Sequence, residues 1–360
     1  MINYKLLTPG PLTTTDTVKK VMMVDHCTWD NDYKQITQEI RQKLLDIAHV
    51  SNEKYTTVLM QGSGTFGVES VITSAVGSDE KILFIANGAY GERMSQIAKK
   101  AGVNHIAYNC HYNEQPNLAE IEEIIKNDAK ITHVAIVHSE TTSGILNNIT
   151  DVAKLVKAYN LTFIVDAMSS FGGVDIDVDA LGIDFIISSA NKCIQGVPGF
   201  SFIICKKDSL EKCKDKARSL SLDLYDQWVS MDKDGKWRFT SPTHIVLAFA
   251  EALKELEAEG GVKSRQERYE QNNKILIDRM TEMGIKTYVD RTHQSPIITT
   301  FFSPEGVVFE DMYAYVKARG YAIYPGKVTE SETFRIGNIG EIYADDMNKL
   351  CDIFAEYFAK

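Results

Sequence analysis

The sequence predicts an α/β protein: a mainly parallel, seven-stranded sheet covered on both faces, followed by a smaller C-terminal α+β region. Three observations carry this. Short apolar runs alternate with amphipathic helical stretches through the first two thirds of the chain, the runs are rich in Val, Ile and Phe, and the pattern changes near Lys206. Alternation of strand and helix requires crossover connections, and these give parallel strands buried on both sides. At 360 residues the chain can hold one large domain and a smaller one, each with its own core.

The expected strands are Tyr55–Gln61, Lys81–Ile85, Val103–Tyr108, Ile131–His138, Leu161–Asp166, Asp184–Ser188 and Phe200–Cys205. Each is too short for a buried helix and dense in β-branched or aromatic residues. Helical spacing of apolar residues marks Phe66–Val76, Tyr90–Lys100, Leu118–Lys126 and Asp151–Tyr159. From Lys206 to about Ser221 the chain is charged and helix-prone. Two long helical patterns then run from Thr243 to Met283, broken at Gly260-Gly261. The tail predicts a strand at Ile297–Phe302, a helix at Phe309–Arg319, strands at Tyr321–Tyr324 and Thr333–Ile336, and a closing helix at Asp345–Phe358. The expected division is an N-terminal segment over 1–20, a large domain over 21–240 and a small one over 241–360, with no repeat or low-complexity linker between them.

Lys and Arg number 39 against 49 Asp and Glu, a net charge of −10, and there is no basic run. Such a chain is a poor partner for nucleic acid or an anionic membrane. No apolar stretch reaches the roughly 18 residues of a spanning helix. Met1–Leu7 is too short, and too soon broken by Pro9-Gly10-Pro11, to read as a signal peptide. The six cysteines form no CxxC pair, so free thiols in a reducing cytoplasm are expected.

Four motifs point to chemistry. Gln61-Gly62-Ser63-Gly64-Thr65-Phe66-Gly67 follows a strand and opens a helix. Its glycines allow a sharp turn, and the free N–H groups and dipole of the helix start favour a phosphate, with Ser63 and Thr65 adding hydroxyls. The same letters match G-x-G-x-x-G, but a dinucleotide site needs a carboxylate at the end of the next strand, and that strand ends in Ala86-Asn87. A nicotinamide-dependent oxidoreductase is therefore the distant alternative. Asp166 stands at the carboxyl end of an apolar strand, where ligands of open α/β sheets bind. Lys192, in Ser189-Ala190-Asn191-Lys192-Cys193, follows another strand; burial would lower its pKa and free the amine to attack an aldehyde. Arg335, in Thr333-Phe334-Arg335-Ile336-Gly337, offers a bidentate fork for an anionic substrate group.

A phosphate cradle, a strand-end carboxylate and a lysine in that order suit pyridoxal 5'-phosphate. It needs a phosphate site, an amine for its aldehyde and an acid beside its ring nitrogen. Tyr90, in Asn87-Gly88-Ala89-Tyr90-Gly91, can stack on a ring, and His138-Ser139-Glu140-Thr141-Thr142 can offer a hydroxyl to the ring oxygen. Other patterns fall away. Asp175-Ile176-Asp177-Val178-Asp179 begins like a calcium loop but has Ala180 and Ile186 where Gly and Glu are required. No histidine spacing suits a metal, and no G-x-S-x-G elbow occurs.

Taken in order, Leu7-Thr8-Pro9-Gly10-Pro11, Gly62–Thr65, Asn87–Gly91, His138–Thr142, Val165-Asp166, Asn191-Lys192 and Phe334–Gly337 resemble the class V aminotransferases of PLP fold-type I, over nearly the whole chain. Within that class, Asp25–Asp30, Asn87–Met94 and Asn191–Gly196 are most similar to the members that exchange the amino group of 2-aminoethylphosphonate with pyruvate. The resemblance implies that Lys192 carries the cofactor and Asp166 pairs with the ring nitrogen. It implies that Ser63, Gly64 and Thr65 hold the phosphate, Tyr90 stacks on the ring and Thr141 contacts the ring oxygen. Arg335 and Gly10 would bind substrate, with the 1–20 segment contributing to the active site. Thr240, in Arg238-Phe239-Thr240-Ser241-Pro242, would reach the phosphate of a second subunit, implying a homodimer with shared sites. Alanine– or serine–glyoxylate transamination and a cysteine-type lyase reaction remain the nearer alternatives.

Overall fold

A computed structural model describes residues 4–328 and 330–359. Of the expected 1–20 segment, residues 1–3 lie outside the described residues, as do Thr329 and Lys360 of the expected 241–360 domain.

The central sheet has seven strands in the order Tyr55–Gln61, Phe200–Lys206, Phe185–Ser189, Thr162–Asp166, Ile131–Val137, Lys81–Ala86, His105–Asn109. Phe200–Lys206 runs antiparallel to both its neighbours, and the other pairings are parallel. All seven strands expected from the sequence are thus present, within one or two residues at each end.

Side chains alternate strictly between the two faces, as the pleat demands. Val134, Ile136, Val165 and Ile186 join one core, which is covered by Tyr33, Ile40 and Leu44 of helix Asn31–Ile47 and by Val246 and Phe249 of helix Thr243–Ala258. Ala135, Val137, Ile164 and Ile187 join the other, beneath Val68, Val71 and Ile72 of helix Gly64–Ala75 and Met94 and Ile97 of helix Ala89–Lys100. Burial on both faces is why these strands read as continuous apolar runs.

A third core lies beyond Gly260-Gly261. The three-stranded antiparallel sheet Ile298–Phe302, Thr333–Gly337, Tyr324–Pro325 packs Phe301, Phe334 and Ile336 against Leu276 and Met280 of helix Gly261–Glu282, and against Leu350 and Phe354 of helix Ala344–Phe358. Leu7 joins this core, because Lys5–Leu6 pairs in parallel with Tyr321–Ala322.

Two local expectations differ from the structure. The strand expected over Tyr321–Tyr324 is two short pieces in two sheets, Tyr321–Ala322 and Tyr324–Pro325. Pro325, lacking an N–H, suits the edge position it takes. The charged stretch after Lys206 is helical only over Lys207–Glu211, and the next helix is Leu224–Asp234. Asp215 at φ 60° breaks the pattern, and Lys216 and Arg218 reach instead to the Glu80 carboxylate and the Ala101 carbonyl. Among the described residues no helix is long and apolar enough to cross a membrane.

Candidate active site

The carboxyl ends of the parallel strands converge on one cavity of about 260 Å³, lined by Ser63, Gly64, Thr65, Tyr90, Arg93, Asp166, Met168 and Lys192 among others. The strand order places the exits of Tyr55–Gln61, Lys81–Ala86, Thr162–Asp166 and Phe185–Ser189 on this one edge, as expected of an open α/β sheet.

Gly62, at φ 116°, makes the turn from strand to helix that ordinary side chains resist. Ser63 is the N-cap of helix Gly64–Ala75, yet its hydroxyl makes no capping bond, so it stays available to a ligand along with the helix-start N–H groups. A side chain at position 64 would run into the Met168 thioether, so only glycine lets the backbone come this close to the cavity wall.

Asp166 ends its strand, is 4% exposed, and accepts a hydrogen bond at Oδ1 from the Met168 N–H at 2.9 Å. Burial pushes its carboxyl up to about 6, with Glu140 adding to the rise and the Met168 N–H, Lys192 and Arg93 opposing it. Lys192 lies in the turn after Phe185–Ser189 and donates to the Pro9 carbonyl at 2.8 Å. Burial brings its amine down to about 8; Cys193 and Asp166 oppose the fall, and Arg335 and Arg93 add to it. The turn is braced from behind by Arg265, 1% exposed, which donates to the Cys193 carbonyl at 2.9 Å and to the Glu259 carboxylate at 2.6 and 2.8 Å. Cys193 is buried, donates to the Ser169 carbonyl at 3.1 Å, and is pushed by burial to about 12, so its thiol stays protonated.

Gly10 sits directly on this lysine. A Cβ there would lie 2.8 Å from both Lys192 Cδ and the Asn191 carbonyl, and its φ is 117°. The chain beginning thus crosses the lysine, tied to the third core by the bond from the Gly337 N–H to the Leu7 carbonyl at 2.9 Å.

Tyr90 occupies the first turn of helix Ala89–Lys100. That turn is fixed by Glu140, fully buried, which accepts from the Tyr90 and Gly91 N–H groups at 3.1 and 3.3 Å and from the Thr142 hydroxyl at 2.6 Å. Any side chain at Gly88 would collide with the Glu140 carboxylate. Thr141, 3% exposed, presents its carbonyl to Arg335 Nη1 at 2.8 Å; Arg335 Nε donates to the Pro325 carbonyl at 3.0 Å. Arg335 is 6% exposed and has no ion pair with a carboxylate among the described residues. Burial lowers its pKa.

The fold therefore gathers Ser63, Gly64, Thr65, Tyr90, Asp166 and Lys192 around one cavity, with Gly10 against Lys192 and with Thr141 bonded to Arg335. Thr240 is not brought there: it is exposed on the segment before helix Thr243–Ala258. Sequence reasoning does not single out Arg93 or Glu140. Arg93 lines the cavity, with its guanidinium 4.7 Å from the Tyr90 ring centre and Nη1 3.4 Å from the Thr65 hydroxyl. The available signal is its i,i+3 spacing from Tyr90, which places both on one helix face. For Glu140 the signal is a carboxylate at a strand end followed by two threonines.

The model of the aminotransferase class-V family matches residues 22–338, and the chain belongs to that family. It is an aminotransferase. It is 58% identical over 358 residues, 99% of this chain and 98% of the relative, to the 2-aminoethylphosphonate–pyruvate transaminase of Lysinibacillus sphaericus (strain C3-41). It is 56% identical over 356 residues, 98% of each, to the enzyme of the same name from Bacillus cytotoxicus. Among solved structures, an alanine–glyoxylate aminotransferase from Nostoc sp. superposes with a TM-score of 0.91 at 23% identity, covering 99% of this chain and 96% of the other. The pyridoxamine–pyruvate aminotransferase of Mesorhizobium loti does so with 0.91 at 22% identity, covering 100% and 94%. The fold is that of fold-type I aminotransferases.

Proposed function

We propose that the protein moves the amino group of 2-aminoethylphosphonate to pyruvate with pyridoxal 5'-phosphate as cofactor, releasing phosphonoacetaldehyde and L-alanine. The observation that carries this is the meeting of Lys192, Asp166 and the Ser63–Thr65 helix start at one cavity, in a chain so close to relatives of that name.

The residues fit the cofactor. The uncapped hydroxyl of Ser63 and the N–H groups behind it would hold its phosphate, and Asp166, a buried carboxylate on the cavity wall, would face its ring nitrogen. The cofactor supplies an aldehyde that takes up the amino group and a conjugated ring that spreads charge from the reacting carbon. Lys192, with its amine lowered to about 8, acts as the base that removes a proton from the amine-bearing carbon of 2-aminoethylphosphonate and, in the second half-reaction, as the acid that gives a proton to the carbon of pyruvate that becomes the Cα of L-alanine. Asp166, ionised above about 6, holds the proton on the ring nitrogen. Tyr90 supplies the stacking face and Thr141 a hydroxyl for the ring oxygen. Arg335 grips the phosphonate in one half-reaction and the carboxylate of pyruvate in the other, since its planar fork accepts either oxyanion. Gly10 closes the substrate side over Lys192. Exposed Thr240 would complete the phosphate site of a second copy, making the working unit a homodimer with shared sites, and six free cysteines suit a reducing cytoplasm.

The test is product analysis. Protein reconstituted with the cofactor, given 2-aminoethylphosphonate and pyruvate, should yield phosphonoacetaldehyde and L-alanine in equal amounts. Preference for alanine or serine with glyoxylate would move the reading to that reaction instead.

A further inference from the structure

Lys327 is a half-buried cation with no assigned task. Its ammonium stands 4.5 Å from the centre of the Tyr90 ring, the ring that also carries the Arg93 guanidinium at 4.7 Å. Among the described residues it has no ion pair, unlike the half-buried Lys34, Lys81 and Lys206, which pair with Asp234, Asp128 and Asp184. The backbone leading to Lys327 is tied to the small sheet. Tyr324 pairs with Arg335 across the small sheet, and the Gly326 N–H donates to the Thr333 carbonyl at 2.8 Å. Any side chain at Gly326 would collide with Thr333. The turn that carries Lys327 is thereby pinned to the strand that carries Arg335. Burial lowers the Lys327 pKa, and the charges of Arg93 and Arg335 lower it further, with the Glu140 and Glu92 carboxylates opposing the fall. Three cations that repel one another thus stand near the Tyr90 end of the site, with no carboxylate salt bridge to any of them among the described residues, and the charges of Glu140 and Glu92 offset the repulsion only from a distance, so an added anion would be welcome there.

We propose that Lys327 is a specificity-determining substrate residue: its ammonium binds the second negative charge of a phosphonate, while Arg335 alone suffices for a carboxylate. This rests on the substrate assignment above. Phosphate-type groups have a second pKa of about 6, so near neutral pH they approach a double charge where a carboxylate carries one. A single Arg is enough for pyruvate and alanine. The phosphonate offers a third oxygen and further charge, and Lys327 is the nearby flexible point charge able to follow it. The two half-reactions therefore make unequal demands on the cations gathered here, and Lys327 supplies the difference.

The experiment uses holoenzyme and its K327Q and K327R variants, with unreactive ethylphosphonate and propionate as probes in calorimetric titrations. K327Q should bind ethylphosphonate at least tenfold more weakly, about 1.4 kcal/mol, with propionate affinity changed less than threefold. K327R should recover most of the loss. The KM for 2-aminoethylphosphonate should rise in K327Q with that for pyruvate nearly constant. Equal weakening of both probes, or no weakening of ethylphosphonate, overturns the inference. Retained propionate binding shows that the variant is folded. If unsubstituted holoenzyme forms no phosphonoacetaldehyde, the substrate assignment fails instead, whichever way the variants behave.

Discussion

The lowered basicity of Lys192 makes a quantitative prediction about how the apoprotein captures its cofactor. An ordinary lysine amine titrates at 10.5, whereas burial brings this one to about 8. At pH 7.5 about a quarter of it is neutral, against roughly one part in a thousand for an ordinary lysine, a gain of about two hundredfold in reactive amine. Only the neutral amine attacks an aldehyde, so capture should accelerate with pH and level off above about 8. Between pH 7.5 and 6.5 the neutral fraction falls roughly eightfold. Stopped-flow absorbance of apoprotein mixed with pyridoxal 5'-phosphate across pH 6 to 10 reads this directly. Arg93 and Arg335 contribute to the lowering, so R93Q should shift the midpoint upward. A midpoint near 10.5, or a rate that does not vary with pH, would refute the reasoning.

Three further outcomes are expected. Asp166 binds its proton more tightly in the fold than in the unfolded chain, so the apoprotein loses stability as pH rises from about 4 to about 6. D166N should remove that loss, raising apoprotein stability above pH 6 by up to about 3 kcal/mol in urea melts, while transamination falls at least a hundredfold; a variant both destabilised and active would contradict this. G10A places a methyl group against Lys192 and the Asn191 carbonyl at a backbone angle that alanine avoids, so turnover should drop more than tenfold with the melting temperature of the central sheet little changed. R265A removes the buried donor of the Cys193 carbonyl and one of the two arginines on Glu259, which Arg268 still pairs, and should cost about 1–3 kcal/mol in denaturant titrations; a loss below about 0.5 kcal/mol would show that the brace is not structural.

How legible each element is in the sequence follows from how it is buried. Strands such as Ile131–Val137 and Phe200–Lys206 are covered on both faces, so nearly every side chain must be apolar, and the run is too short to be a buried helix. Helix Asn31–Ile47 escapes sequence reasoning because its buried stripe includes Thr37 and Arg41. Arg41 is accommodated inside only through bonds to the Thr57 and Met231 carbonyls and to the Asp232 carboxylate. Those partners lie far along the chain, so no local pattern announces them. Lys192 and Asp166 are legible because strand-end positions in an open α/β sheet are chemically privileged. Arg93 and Lys327 are not, since a single charge on a helix or in a turn reads as solvated surface. Only the fold brings both to the Tyr90 ring.

The most direct measurement is chemical trapping. Holoenzyme reduced with borohydride, digested and sequenced by mass spectrometry should carry the pyridoxyl group on Lys192 and on no other lysine. Label on a different lysine, or a digest with none, would contradict the role of Lys192.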